Sequence, residues 1–203
     1  MTKKIFLATE NMHKVKEFSA LTKDRNINFY LPPNDISPFP EETGTTFAEN
    51  AILKTLHVER ECNLPSLADD SGLEVDYLNG MPGIHSSRYS QTGNSEDNIT
   101  KLLEKLSGVK ENYRSARFKC CLAYNRANGS LPLVFEASIT GVITKKRIGS
   151  SGFGYDSVFF VPVENMTFAE MNENLKNNIS HRYLAFQKFW LESNNLDLLE
   201  DYV

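Results

Sequence analysis

Two hydrophobic periods alternate along this chain, and the alternation restricts it to folds that interleave strands with helices. Ile5 to Thr9 is an apolar run of strand length, and Val15, Phe18 and Leu21 then recur at helical spacing. Asn11 stands where an N-cap belongs, so the chain opens as strand, tight turn and helix. Such a turn can offer backbone N–H groups and the positive end of a helix to a phosphate, although an ordinary βα turn has the same pattern. Thr46 followed by Glu49 is a capping-box signature. The helix after it carries Phe47, Ala51 and Leu56 on roughly one side, with Lys54 one turn beyond Asn50 and Ala51.

The rest of the chain continues the pattern. LPSLADDSGLEVDYL reads as a strand, a break and an alternating strand, with Leu73, Val75 and Tyr77 on one face and Glu74 and Asp76 on the other. Ile99, Leu102, Leu103 and Leu106 define a helix. RFKCCLAY and the run from Leu131 to Ile143 are strands, and GSSGFGYDSVFFVP is a glycine-rich turn entering an apolar strand. LPPNDISPFPEETG and MPGIHSSRYS read as loops, and Met166 through Asn178 as a polar stretch holding Lys176. Ser180 can cap a last helix with Leu184, Phe189 and Trp190 as its core residues. An α/β fold follows.

The 203 residues suit one globular domain, or two lobes sharing a cleft, and the whole chain, 1–203, is read as a single domain. A net charge of -4 argues against a nucleic-acid polymer as partner, but a few local cations and a metal suffice for one nucleotide. No apolar stretch is long enough for a membrane span or a signal-peptide core. Three cysteines, Cys62 and the adjacent Cys120 and Cys121, make a poor disulfide framework, and the cytoplasm is the expected compartment.

Three sets of carboxylates fall at predicted loops or strand ends: Glu41 with Glu42, Asp69 with Asp70, and Asp156. Neighbours on a strand point to opposite faces, so Asp69 and Asp70 are expected to do different jobs. A carboxylate at a strand end beside Ser71 and Gly72 is well placed for a hard metal, though Asp-Asp-Ser-Gly also suits a solvated turn. The cations Lys14, Lys54, Lys176 and Arg182 each fit an ordinary surface position; together with the acids they suit magnesium and a polyphosphate. Glycines flanking Phe153 let its ring approach a ligand, or let it pack at a strand start. A dinucleotide fingerprint, a Walker A loop and a nucleophile elbow are all missing.

ATEN with Lys14, EETGTTFAENAILK, ADDSGLEVD, PGIHSSRY, GFGYDSVFF, Lys176 and SHR, in that order, resemble the blocks of the inosine/xanthosine triphosphate pyrophosphatase family, the Ham1-like proteins. The resemblance runs from about Ile5 to about Phe189. It implies two lobes around an elongated mixed β-sheet, a nucleotide cleft between them, a cytoplasmic homodimer and a need for Mg²⁺. It implies hydrolysis of aberrant purine nucleoside triphosphates (ITP, dITP, XTP) to the monophosphate and pyrophosphate. By the same resemblance the turn holding Thr9, Asn11 and Lys14 meets the phosphates, with Lys54 on that side and Ser71 also in contact with substrate. Glu41 or Glu42 joins Asp70 around magnesium, and Asp70 is the general base. Phe153, Gly154, Tyr155, Asp156, His181 and Arg182 surround the base, with Lys176 nearby.

The chain departs from the family pattern at Glu10, where a small residue is usual, at Ser87 for alanine, and at Ser157 for proline. A carboxylate beside a phosphate turn repels the ligand unless it points away or helps hold metal. Two other functions stay open. One is a nucleotide-binding regulatory module with little turnover. The other is a pyrophosphohydrolase for another modified nucleotide, such as a pyrimidine triphosphate.

Overall fold

A computed structural model of the protein describes residues 3–23, 25, 27–33 and 36–195. Strand β1 (Lys3–Leu7) leads into helix α1 (Met12–Leu21), which returns the chain to β2 (Ile27–Tyr30), parallel to β1. Helix α2 (Phe47–Cys62) then carries the chain to β3 (Ser66–Val75), parallel to the other edge of β1. Helical crossovers between parallel strands are the expected solution for such connections. Next come α3 (Ser95–Lys105), β4 (Ser115–Asn125), β5 (Leu133–Ile143), β6 (Phe159–Val161), β7 (Met166–Thr167), α4 (Glu173–Ile179) and α5 (His181–Asn195). Among the described residues the strands form a seven-stranded sheet in the order β2-β1-β3-β4-β5-β6-β7, with antiparallel pairs β5–β6 and β6–β7. The sheet is therefore mixed, and the α/β class expected from the sequence holds.

The chain divides into two compact units. The first comprises Met1–Asp70, Cys120–Ala137 and Arg182–Val203, and the second Ser71–Lys119 and Ser138–His181. Each has its own core. In the first, Ile5, Leu7, Phe18, Ile27, Leu67 and Phe186 pack with their neighbours. In the second, Leu73, Ile99, Leu102, Phe118, Phe159 and Phe168 do the same.

Local expectations fare unevenly. Asn11 caps α1, its Oδ1 accepting from the N–H groups of His13 and Lys14. Thr46 and Glu49 form the expected capping box on α2. Leu56, however, is 40% exposed. Nine residues beyond Phe47, it falls on the opposite side of a helix with 100° per residue, and the buried stripe runs instead through Asn50, Ala51, Lys54 and Val58. There is no break at ADDSG: β3 is continuous, because its central residues are buried on both faces and need no alternation. Tyr77 leaves the strand for a 3₁₀ turn and is 55% exposed. Gly83–Arg88 is also a 3₁₀ turn, and α4 lies where a polar stretch was expected. In α5 the core residues are Ala185, Phe186 and Phe189, with Leu184 and Trp190 only half-buried.

Candidate active site

The first unit gathers two lysines on one oxygen. Register places Leu7 of β1 opposite Leu67 of β3, so Asp69 and Asp70 extend past the end of β1, level with the turn that opens α1. From α1, Lys14 Nζ donates to the Asp69 backbone oxygen at 3.1 Å, and from α2, Lys54 Nζ donates to the same oxygen at 2.8 Å. The carboxyl ends of parallel strands, where connections diverge to either side, are the ordinary ligand-binding edge of an α/β sheet.

The two aspartates take different partners, as strand alternation requires. Asp69 is fully buried and accepts from Lys14 Nζ at 2.5 Å, Arg182 Nε at 2.8 Å and Cys120 Sγ at 3.3 Å. Burial works against its charge, but Arg182 and Lys14 outweigh that and hold the carboxyl well below the usual range. Arg182 also donates to Glu17 of α1. Burial disfavours the guanidinium, yet Asp69 and Glu17 keep it charged.

Asp70 accepts from Lys54 Nζ at Oδ1 (3.0 Å) and from Asn50 Nδ2 at Oδ2 (3.3 Å). Burial pushes its pKa up to about 6; Lys54 opposes the rise and Glu42 adds to it. Glu42 Oε1 accepts from the same ammonium at 3.1 Å. Burial lowers the lysine's pKa, but Asp70 and Glu42 more than restore it. One ammonium thus holds two carboxylates of different segments together. Glu41 is exposed and lies outside this group.

Among the described residues no three His, Cys, Asp or Glu side chains gather as a metal cage. The donor set of Glu42 and Asp70 nevertheless fits magnesium. Both are hard oxygen ligands converging on a single cation, and Mg²⁺ typically takes one or two carboxylates and completes its shell with water and substrate phosphates.

The turn before α1 is ordered by its own side chains: Asn11 N–H donates to Thr9 Oγ1 at 3.1 Å, while Asn11 caps the helix. Glu10, the departure from the family pattern, is exposed.

The second unit builds a different surface. Asp156 Oδ2 accepts from Phe153 N–H at 2.9 Å and Lys176 Nζ at 2.6 Å, and the Lys176 ammonium lies 4.9 Å from the centre of the Phe153 ring. The turn needs glycine at 152, where φ is +77° and an added Cβ would stand 2.1 Å from Asp156 Oδ2. Tyr155 is buried in the core of this unit and donates to the Ser86 backbone oxygen at 2.8 Å; burial raises its pKa. His181 is buried with its ring stacked on Phe118, centroids 4.8 Å apart. Ser71 and Gly154 are half-buried in the same unit.

Of the residues singled out from the sequence, Lys14, Glu42, Lys54, Asp70 and Arg182 therefore come together with Asp69 in the first unit. Phe153, Asp156 and Lys176 come together in the second. Arg182 keeps company with Asp69 and Glu17. Besides Cys120, which donates to Asp69, sequence reasoning misses two participants, Asn50 and Glu17. Both lie within one helical turn of a lysine that it does identify, Asn50 four residues before Lys54 and Glu17 three after Lys14, and that spacing is the available signal.

The profile of the Ham1 family matches residues 5–191. A dITP/XTP pyrophosphatase of Shigella flexneri is 47% identical over 186 residues, covering 91% of this chain and 94% of that protein. Among solved structures, a HAM1 protein from Coxiella burnetii superposes with a TM-score of 0.86 at 38% identity, covering 95% of this chain and 99% of its own. The Staphylococcus aureus Ham1 protein gives 0.82 at 38% identity, with 95% and 100% covered.

Proposed function

Since the chain belongs to the Ham1 family, we propose that it hydrolyses aberrant purine nucleoside triphosphates, ITP, dITP and XTP, to the monophosphate and pyrophosphate. The observation that carries this reading is the meeting of Lys14 and Lys54 on the Asp69 oxygen, with Asp70 and Glu42 on the second lysine.

Glu42 and Asp70 would hold Mg²⁺, which when bound neutralises phosphate oxygens and the charge of the leaving pyrophosphate. Lys14 and Lys54 bind the triphosphate. Asp70 orients the attacking water and accepts its proton as general base. Glu41 stays available to a ligand from its exposed position. The Thr9–Asn11 turn lies beside Lys14 and contacts phosphate oxygens, and Ser71 follows Asp70 directly. In the second unit Phe153 gives a face for a purine, with Gly154, Tyr155, Asp156 and His181 shaping its surroundings and Lys176 providing a donor. A 6-oxo group accepts hydrogen bonds where adenine's amino group donates, so donors there discriminate against ATP.

In this reading the protein works as a homodimer in the cytoplasm; no described helix is long and apolar enough to cross a membrane. Sedimentation at micromolar concentration checks the dimer. The reaction is tested by incubating the protein with ITP and Mg²⁺ and separating the products. Inosine monophosphate with pyrophosphate is expected, whereas inosine diphosphate with phosphate overturns the reading.

A further inference from the structure

His57 is buried on α2, three residues beyond Lys54. Its two ring nitrogens are both engaged. Arg60 donates from Nη2 to Nδ1 at 3.0 Å, and Nε2 lies 2.9 Å from the Ser37 backbone oxygen. A guanidinium can only donate, so Nδ1 accepts and Nε2 carries the proton that reaches Ser37. The ring also packs against Phe39, with centroids 5.2 Å apart. The N–H of Ser37 in turn donates to Glu61 Oε2 at 3.4 Å.

These contacts fix one end of a strap. The other end is fixed by Asn50 and Glu49. Gly44 N–H donates to Asn50 Oδ1 at 2.8 Å, so closely that a Cβ on Gly44 would stand 2.6 Å from that oxygen. Thr45 N–H donates to Glu49 Oε2 at 2.6 Å. Between the two fixed ends the strap presents Glu42 to Lys54 Nζ. A loop with no strand or helix of its own holds a side chain in place only through such anchors.

We propose that His57 is a positioning residue: by holding Ser37 and Phe39 against α2 it places Glu42 beside Asp70 and thereby sets the magnesium affinity of the site. The inference rests on the hydrolase reading above for its metal, but its own test does not read hydrolysis.

Calorimetry of Mg²⁺ binding to the protein carrying the α,β-imido analogue of ITP provides that test. His57→Phe keeps a ring against Phe39 and removes both nitrogen contacts; it should weaken Mg²⁺ binding by about tenfold, the scale of a lost outer contact behind a metal ligand. His57→Gln restores a donor toward Ser37 and should recover most of the loss. In a Glu42→Gln background the same His57→Phe change should alter affinity by less than about twofold, because there is no carboxylate left to place. Phe39→Ala, which loosens the strap from its own side, should weaken binding in the same direction and serves if His57→Phe does not fold. A folded His57→Phe protein with wild-type affinity overturns the proposal, and so does an undiminished effect without the Glu42 carboxylate. A wild type that binds Mg²⁺ and the analogue yet releases no pyrophosphate from ITP sinks the hydrolase reading while the His57 comparison still stands. A wild type that binds no Mg²⁺ overturns both.

Discussion

Lys54 Nζ sits 3.0 Å from Asp70 Oδ1, and both side chains are buried. Burial drives the carboxyl toward its neutral form and the ammonium opposes that drive, leaving Asp70 close to half-protonated at about pH 6. The pair is poised, in contrast to Arg182 and Asp69 a residue away, whose charges are locked.

Asp70→Asn keeps the size of the side chain and removes both its charge and its capacity to take a proton. Loss of a general base costs about 10²–10⁴-fold. ITP turnover at saturating Mg²⁺ is therefore expected to fall by at least about a hundredfold, while circular dichroism stays that of the wild type. A folded variant with near wild-type kcat removes Asp70 from the mechanism.

Protons and magnesium compete for the Asp70 carboxylate. Since its pKa stands near 6 in the metal-free protein, the Mg²⁺ concentration giving half-maximal rate should climb as pH falls through that value, by about tenfold per unit below it. Above pH 7 the requirement should level off. Magnesium titrations at pH 5, 6, 7 and 8 check this, and a flat requirement across that range contradicts it.

Asp69→Asn should act on stability instead. The change leaves Lys14 and Arg182 without the carboxylate that both contact. Removing one partner from a buried pair costs about 3–5 kcal/mol. The linkage signs of the two aspartates are opposite. Asp69 has a depressed folded pKa, so its stabilisation is fully present above the ordinary carboxylate value and is lost only as pH falls through the lower folded one. Asp70 has a raised one, so its burial works against the fold above about pH 6 and that cost fades toward pH 4. Thermal melting at pH 7 should show a large drop for Asp69→Asn and a much smaller change for Asp70→Asn; equal drops overturn the division of labour.

Hydrophobic period and helix caps make most of the fold legible in the sequence. Asn11, Thr46 and Glu49 announce helix starts through local hydrogen bonds that need no tertiary context. The continuity of β3 through ADDSG is not legible, because Asp-Asp-Ser-Gly has the composition of a turn and only neighbours on both sides make it strand. The strand Ile27–Tyr30 escapes for a related reason: four residues are too few to show a period. Within the site, the motif blocks point to Asp70 and Lys54, but they cannot decide between Glu41 and Glu42, adjacent in a loop without periodicity. Their surroundings differ only in the folded chain, where Glu42 reaches Lys54 and Glu41 is exposed. The bonds from Arg182 to Asp69 and Glu17 join residues more than a hundred positions apart and leave no local trace in the sequence.

Phe153→Ala tests the base-binding half of the proposed function. The ring is held from two directions, by the Asp156 carboxylate on its backbone N–H and by the Lys176 ammonium 4.9 Å from its centre. A ring fixed in that way offers a purine a face without having to be ordered first. Stacking of a base on an aromatic side chain contributes about 1–3 kcal/mol, so the alanine variant should raise KM for ITP by about tenfold or more. Stacking accepts any purine, whereas discrimination comes from donors placed at the 6-position. The wild type should prefer ITP to ATP by at least about tenfold in kcat/KM, and the variant should keep most of that ratio while both substrates weaken together. Steady-state kinetics with the two nucleotides decides the matter. Unchanged KM in a folded Phe153→Ala protein removes the ring from the base site, and a collapse of the ITP-to-ATP ratio makes Phe153 a source of selectivity rather than of affinity alone.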